Sequence, residues 1–157
     1  MDYQLSTQKN LKIFFASDHA GFELKNELLA FVRDDLAYDV KDHGAHTYDK
    51  EDDYTDFIRL AGEAVSADPA GTRAIILGGS GQGEAMCANR FPCVRATTYY
   101  HHDLDIIRLS REHNDANVLS IGARFIDVAS GKEAVKLWLE TPFSGDARHV
   151  RRIEKLG

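Results

Sequence analysis

Short apolar runs alternate with longer amphipathic stretches along most of this chain. Five runs predict buried strands, at residues 12–16, 38–41, 74–77, 94–98 and 118–121. Between them, apolar residues recur at helical spacing, as Leu24, Leu28 and Phe31 do, and predict helices. Connections of this length join parallel strands through right-handed helical crossovers. The pattern therefore predicts an α/β fold, a three-layer α/β/α sandwich with a five-stranded parallel Rossmann-like sheet.

Length and composition favour one globular domain. The 157 residues are 43% hydrophobic and 28% charged, which excludes collagen-like repeats, low-complexity disorder and a disulfide-stapled miniprotein. Residues 1–11 are predicted to form a polar N-terminal tail, and residues 12–157 a single domain with a C-terminal basic helix. The chain has no apolar run near 18 residues and no charged-then-apolar leader, and its two cysteines lack metal-ligand spacing. We therefore expect a cytoplasmic protein.

Charge is distributed unevenly along the chain. There are 25 acidic against 19 basic residues, a formal net charge of −6, so the global positive charge that supports nucleic-acid binding is absent. Residues 34–56 are rich in Asp and Glu, whereas residues 148–155 include three arginines and a lysine. This distribution predicts an anion site formed by the C-terminal end of the chain.

The most informative segment follows the third predicted strand, where GGSGQGE spans residues 78–84. Its glycines can point several backbone N–H groups into one hollow, which suits an anion or a developing oxyanion. The segment matches neither a Walker A motif nor the dinucleotide-binding fingerprint, and a tight turn without function is the alternative. Glu84 can simply favour the start of the next helix, but beside such a hollow it can also remove a proton next to a carbonyl.

Other polar segments carry weaker signals. Asp18 and His19 follow the first strand and can transfer protons or bind a sugar hydroxyl, although a helix cap explains Asp18 equally well. His113 and Asn114 end a predicted helix, where a solvated C-terminus is the alternative. Residues 148–152 can hold a phosphate or form a solvated basic helix end. Four further histidines lack the spacing of metal ligands and are predicted to lie in loops or on the surface: His43, His46, His101 and His102.

Five segments together resemble the ribose-5-phosphate isomerase B family, which includes galactose-6-phosphate isomerase subunits. They are SDHAGFELK at 17–25, DYTDFI at 53–58, GGSGQGEAMCANR at 78–90, REHNDANVLSIGARF at 111–125 and ARHVRRI at 147–153. The resemblance covers about residues 12–155. It implies an aldose–ketose isomerase of the pentose phosphate pathway that needs no cofactor and no metal. It also implies a homodimer or a dimer of dimers whose sites are shared between subunits, with no nucleic-acid or membrane partner.

The same resemblance implies a role for each matching position. Family members use either a Cys directly after the third strand, a position that is Gly78 here, or a Glu after the glycine loop, which is Glu84 here. Glu84 is expected to move a proton between C1 and C2, while Asp18 and His113 bind and open the sugar ring. Ser80 and Asn114 are expected to hold the enediolate together with the loop amides of Gly79, Gly81 and Gly83. The remaining expected substrate contacts are Tyr54 and the phosphate-binding residues His19, Arg124, Arg148 and Arg152.

The expected reaction is the isomerisation of ribose 5-phosphate to ribulose 5-phosphate through a cis-enediolate. The same chemistry on a tetrose phosphate such as erythrulose 4-phosphate, or on a hexose 6-phosphate of galactose or allose type, is one alternative. A sugar-phosphate-binding module without turnover is another. The N-terminal tail and the run Tyr99-Tyr100-His101-His102 depart from better-known family members, which leaves the length of the substrate open.

Overall fold

The computed structural model describes residues 10–157, and residues 1–9 of the predicted tail lie outside this range. All five predicted strands are present, with slightly different ends. They are β1 (Lys12–Ser17), β2 (Asp39–Asp42), β3 (Thr72–Gly78), β4 (Ala96–Tyr99) and β5 (Val118–Gly122). The strands form one parallel sheet in the order β2-β1-β3-β5-β4. The predicted five-stranded parallel sheet is therefore confirmed.

In the described part of the chain, six α-helices alternate with these strands. They are α1 (Phe22–Ala30), α2 (Tyr54–Ala67), α3 (Gln82–Ala88), α4 (Leu104–Glu112), α5 (Val128–Glu140) and α6 (Ala147–Glu154). A short 3-10 turn, His19–Gly21, precedes α1, and a π-helical turn, Phe31–Asp35, extends it. Within residues 10–157, no helix combines the length and apolarity needed to cross a bilayer.

The alternation of side chains along the strands creates the three layers. Ile13 and Phe15 of β1 pack into one core cluster together with Ile75 and Leu77 of β3, under α1, α4 and α5. The intervening residues of the same strands, such as Phe14, face the other way and pack against α2 and α3. Because successive strand residues point to opposite faces, two buried faces require apolar residues at every position, as these short apolar runs have. The α/β/α sandwich is confirmed.

Two of the differences between predicted and observed boundaries have a clear physical reason. Leu11, assigned above to the tail, is buried in the core beneath α1 and α5, because its apolar side chain continues the buried surface of β1. The fourth strand begins at Ala96 instead of residue 94. Cys93 takes a positive φ of 65°, and the N–H of Arg95 donates to the Asn117 side chain (2.7 Å), so the backbone before Ala96 is used in a turn.

Because the strands are parallel, all their carboxyl ends lie on one side of the sheet and all their amino ends on the other. The loops after β1, β3 and β5 leave from the carboxyl ends of parallel strands, and we call this side the carboxyl edge. The segments before β4 and β5 lie at the opposite side, the amino edge. A five-residue strand such as β5 separates the edges by roughly 16 Å. The chain order reverses between β1 and β3, and the crevice outside the carboxyl ends at such a reversal is where open α/β sheets bind ligands.

Candidate active site

The glycine loop lies directly in this crevice. Gly81 caps α3 with a positive φ of 77°, and its carbonyl accepts a hydrogen bond from the Ser120 hydroxyl of β5 (2.6 Å). The N–H groups of Ala123 and Arg124 donate to the carbonyls of Gly78 and Gly79 at 2.8 and 3.1 Å. The loop is thus fixed to the end of β5, and this anchoring gives its amides a defined position. Ser80, at its tip, is exposed.

Glu84 is a buried carboxylate at the carboxyl edge. It lies in the first turn of α3 with only 4% of its surface exposed. Desolvation raises its pKa, and the nearby negative charge of Asp18 raises it further, while its own backbone N–H partly offsets the rise. A Cβ added to Gly78 would overlap the Glu84 carboxyl group. A side chain at position 78 is therefore incompatible with this placement of Glu84. A Cys after the third strand and a Glu in the position of Glu84 thus exclude each other for steric reasons.

Asp18 and His19 lie across the crevice from the glycine loop. Asp18 is 8% exposed, and its carboxylate accepts a hydrogen bond from the N–H of Ala20 (3.0 Å), so it does cap the turn that follows β1. That turn contacts β3 closely, since a Cβ on Gly21 would lie 2.6 Å from the Cβ of Leu77. Asp18 also lies close enough to Glu84 for its negative charge to raise the pKa of Glu84. Asp18 therefore has both the structural role and a position at the candidate site.

His19 is held by a residue that the sequence analysis did not select, Asp52. The Asp52 Oδ1 atom lies 2.7 Å from His19 Nδ1 and accepts from the His19 backbone N–H at 3.2 Å. The hydrogen bond to Asp52 raises the pKa of His19, and Asp18 contributes in the same direction, while desolvation and Arg124 act against it. Asp18, His19 and Asp52 also offer possible metal-ligand atoms within 4.8 Å of one another, but the 2.7 Å contact is the length of a hydrogen bond.

Tyr54 and Arg124 complete the carboxyl edge. A Cβ on Gly83 would lie 2.7 Å from the Tyr54 hydroxyl oxygen, and one on Gly79 would lie 3.1 Å from Nη1 of Arg124. Both side chains thus lie against the glycine loop, in space that the Cβ of any other residue at position 83 or 79 would approach closely. Arg124 is exposed and follows β5, so its guanidinium is available to an anion at this edge.

The other predicted site residues lie at the amino edge. His113 and Asn114 follow α4 and precede β5, and the His113 ring stacks on His149 of α6 with centroids 4.3 Å apart and planes at 17°. His149 is buried, and desolvation together with the nearby His113 and Arg148 lowers its pKa. A neutral His149 stacks on His113 without charge repulsion. His149 is a second residue that the sequence analysis missed.

The basic residues of α6 present an unpartnered positive surface. Arg148 and Arg152 are four positions apart and so share a face of the helix, and both are exposed. Within residues 10–157, neither they nor Arg151 takes part in an ion pair. An open cavity of about 740 Å³ lies at the same edge, and its lining includes Asn114 and Ile153 but no residue of the glycine loop.

The candidate site residues therefore divide into two groups within one chain. The carboxyl-edge group contains Asp18, His19, Tyr54, Arg124 and the glycine loop with Glu84. The amino-edge group contains His113, Asn114, Arg148 and Arg152. The missed residue Asp52 had a weak signal, because it directly precedes the DYTDFI segment in an acidic loop. His149 had one too, as the histidine inside ARHVRRI.

A family model, a curated relative and solved structures all match the same family of isomerases. The model of the family described as Ribose/Galactose Isomerase matches residues 13–156. Ribose-5-phosphate isomerase B of Mycolicibacterium paratuberculosis is 38% identical over 146 residues, which cover 93% of this chain and 89% of that protein. The crystal structure of ribose-5-phosphate isomerase B from Mycoplasma genitalium with bound ribulose-5-phosphate superimposes with a TM-score of 0.87 at 33% identity. The superposition covers 93% of each chain. The enzyme from Clostridium thermocellum gives a TM-score of 0.86 at 37% identity, covering 94% of this chain and 95% of that one.

Proposed function

The chain belongs to the ribose/galactose isomerase family, and from this membership we propose that it interconverts ribose 5-phosphate and ribulose 5-phosphate. It is an aldose–ketose isomerase, as its relatives are. The choice of sugar is supported by the names of those relatives and by the ribulose 5-phosphate bound in the Mycoplasma genitalium enzyme. The observation on which the chemistry depends is a buried carboxylate, Glu84, beside an anchored loop of glycine amides.

In the proposed reaction, Glu84 is the general base. Its carboxylate takes the proton from C2 of the open-chain aldose, the C–H electron pair forms the C1–C2 double bond, and negative charge moves onto O1. The amides of Gly79, Gly81 and Gly83, together with Ser80, stabilise this cis-enediolate by donating hydrogen bonds. Protonated Glu84 then returns the proton to C1, while the O2 proton is transferred to O1, which leaves the carbonyl at C2 of the ketose.

The burial of Glu84 suits this role. A general base works best when its pKa lies near the operating pH, and desolvation moves the pKa of Glu84 in that direction from its ordinary value. The base is protonated and deprotonated once in each turnover, so it needs both forms to be accessible. No cofactor is assigned to this step, and we expect activity to be the same with and without EDTA.

We assign the remaining carboxyl-edge residues to ring opening and phosphate binding. Asp18 acts on the ring oxygen and O1 of the cyclic sugar, with His113 as its partner. His19 and Arg124 bind the phosphate, with a charge-assisted hydrogen bond from each. Tyr54, which lies against Gly83, contacts the sugar.

We propose that a second copy of the chain supplies His113, Asn114, Arg148 and Arg152. Within one chain these residues lie at the amino edge, roughly 16 Å of strand away from Glu84, which supports this assignment. A two-fold axis that places the amino edge of one protomer over the carboxyl edge of its partner produces two equivalent sites. The exposed arginines of α6 then reach the phosphate. We place this dimer, or a dimer of dimers, in the cytoplasm.

Isotope exchange tests the proposed function directly. The protein is incubated in D₂O with ribose 5-phosphate, and the expected result is deuterium at C2 of the recovered aldose together with ribulose 5-phosphate. The same assay on four- and six-carbon phosphates ranks the alternative substrates. Binding of ribose 5-phosphate without exchange would contradict the isomerase assignment and favour a binding module. A higher kcat/KM on a tetrose or hexose phosphate would move the assignment to that sugar.

A further inference from the structure

Asp52 contacts the candidate site through His19. Its Oδ1 atom accepts from both the ring Nδ1 and the backbone N–H of His19, across 33 positions of sequence. Its side chain is 8% exposed, and its Oδ2 atom is buried without a hydrogen bond from any of residues 10–157. A buried carboxylate is costly unless it is paired, and here the pairing group is His19. The arrangement therefore couples the charge of Asp52 to the state of one imidazole.

The position of His19 decides what this coupling can do. Nδ1 is occupied by Asp52, so Nε2 is the ring nitrogen left to meet a substrate. A neutral imidazole with its proton on Nδ1 has a lone pair on Nε2, which a phosphate oxygen repels. An imidazolium carries N–H on both nitrogens and donates to Asp52 and to a phosphate at once.

The groups that face His19 come from several elements. Asp18 precedes it in the turn after β1, with its carboxylate 3.9 Å from Nδ1, and Asp52 lies in the loop before α2. Arg124, after β5, opposes protonation of the ring. The ring of Tyr48 meets that of His19 edge-on, with centroids 6.1 Å apart. Two carboxylates thus oppose one guanidinium, and the hydrogen bond that His19 donates to Asp52 is the largest influence on the pKa of His19.

We propose that Asp52 is a positioning residue that orients the ring of His19 and holds it as an imidazolium for phosphate binding. Asp52 does not touch the substrate. This inference rests on the proposed function, because the phosphate is the group that His19 is assigned to bind. It adds to that function a residue through which phosphate affinity depends on pH.

The variant Asp52→Asn removes the charge and keeps an oxygen for the His19 backbone N–H. The imidazolium fraction of His19 falls as pH rises through its pKa, and without Asp52 this fall begins at a lower pH. KM for ribose 5-phosphate and the inhibition constant of inorganic phosphate should rise by roughly tenfold at pH 8, the size of a lost charge-assisted contact, and by less than about threefold at pH 6. The kcat value should change by less than about twofold, because the contact is equal in ground state and transition state.

The matched control is Glu51→Gln, which removes an acidic charge from an exposed neighbouring position in the same loop. It should leave KM unchanged at both pH values. Expressing each result as a ratio to the unmodified enzyme at the same pH removes the ionisation of the phosphate itself. A KM increase for Asp52→Asn that is equal at pH 6 and pH 8, or a loss confined to kcat, would overturn the proposal.

A double-mutant cycle tests whether Asp52 acts through His19. In the background of His19→Gln, the further change Asp52→Asn should add nothing to KM, whereas an independent effect would refute the coupling. If Asp52→Asn does not fold, Asp52→Glu keeps the charge. The KM of Asp52→Glu should then stay within about threefold of the KM of the unmodified enzyme at pH 8. The KM of His19→Gln should lose its pH dependence between pH 6 and pH 8. A larger increase in KM for Asp52→Glu, or a KM of His19→Gln that still depends on pH, would contradict the proposal.

NMR separates failure of this inference from failure of the proposed function. Titration of the His19 ring signals in the ligand-free protein requires no activity, and Asp52→Asn should lower the pKa of His19. An unchanged pKa in an active isomerase would refute the role of Asp52 alone. A lowered pKa in a protein that shows no isotope exchange would retain the pairing and refute the isomerase.

Discussion

The carboxyl edge and the amino edge differ in how far a single chain completes them. At the carboxyl edge, several polar groups are paired within the chain: Asp18 caps a turn, His19 pairs with Asp52, and the glycine loop is bonded to β5. At the amino edge, Arg148 and Arg152 are exposed and form no ion pair within residues 10–157. A chain that positions Glu84 and the glycine loop internally, but leaves the arginines of α6 without ion pairs, has the pattern expected under the proposal that two chains share each site.

The largest expected effect is at the carboxyl edge, where a substitution of Glu84 tests the proposed base. Glu84→Gln keeps nearly the same shape but cannot accept a proton, so kcat should fall by about 10²–10⁴-fold. Binding of the substrate should be retained, as measured by calorimetry with ribose 5-phosphate. Turnover near that of the unmodified enzyme would place the base elsewhere, and Asp18 would be the next residue to test.

The next experiment is at the amino edge, where a substitution of Arg152 tests the proposed phosphate contact. Arg152→Ala should weaken binding of the sugar phosphate by roughly 2–5 kcal/mol, the cost of removing one partner from a buried charge pair. Inhibition by inorganic phosphate should weaken in parallel. Arg151→Ala is the matched control, because it removes the same charge from the adjacent position of α6. Equal and small effects of the two variants on KM would assign α6 to a solvated basic helix.

Mixing variants tests whether the two edges meet between chains. Glu84→Gln, impaired in kcat, and Arg152→Ala, impaired in substrate binding, should regain activity at low substrate concentration when their subunits exchange, up to about one intact site per mixed dimer. Glu84→Gln mixed with Asp18→Asn is the control, since both changes affect the carboxyl edge and no intact site can form. A fully active monomer in size-exclusion chromatography, or no recovery despite proven exchange, would contradict the shared site.

The smallest expected effect is on stability. Burial raises the pKa of Glu84, so around pH 7 its ionised form destabilises the folded chain. Glu84→Gln should therefore increase the free energy of unfolding at pH 7, by about 0.5–2 kcal/mol, as single stabilising substitutions do. The gain should disappear below the ordinary pKa of a glutamate, where the carboxyl is protonated in both states. Urea unfolding followed by circular dichroism measures it, with the exposed Glu51→Gln as control. A loss of stability at pH 7 would contradict the assigned cost of burial.

Much of the fold was predictable from local patterns. Strands and helices follow from apolar periodicity within windows of five to fifteen residues, and the boundary differences at Leu11 and Val94 are small. Glu84 could be selected as a candidate site residue because the glycine loop and the carboxylate are adjacent in sequence. The location of His113 at the amino edge also follows from chain order, once it is placed between a helix and the next parallel strand.

The pairing of Asp52 with His19 could not be predicted in this way. The two residues are 33 positions apart, and their contact exists because the loop before α2 folds back over the turn after β1. The stacking of His113 on His149 likewise depends on where α6 returns to the sheet.

The sequence by itself determined the element types, the parallel sheet and the candidate base, because side-chain periodicity and the adjacency of Glu84 to a glycine-rich loop are local properties. The strand order β2-β1-β3-β5-β4 was decided only by tertiary packing, in which helices from distant segments cover the two apolar faces. That order brings Asp18 next to Glu84 and desolvates both, which raises the pKa of Glu84. The same order leaves Arg152 at the other edge, because α6 packs beside residues that precede β4 and β5.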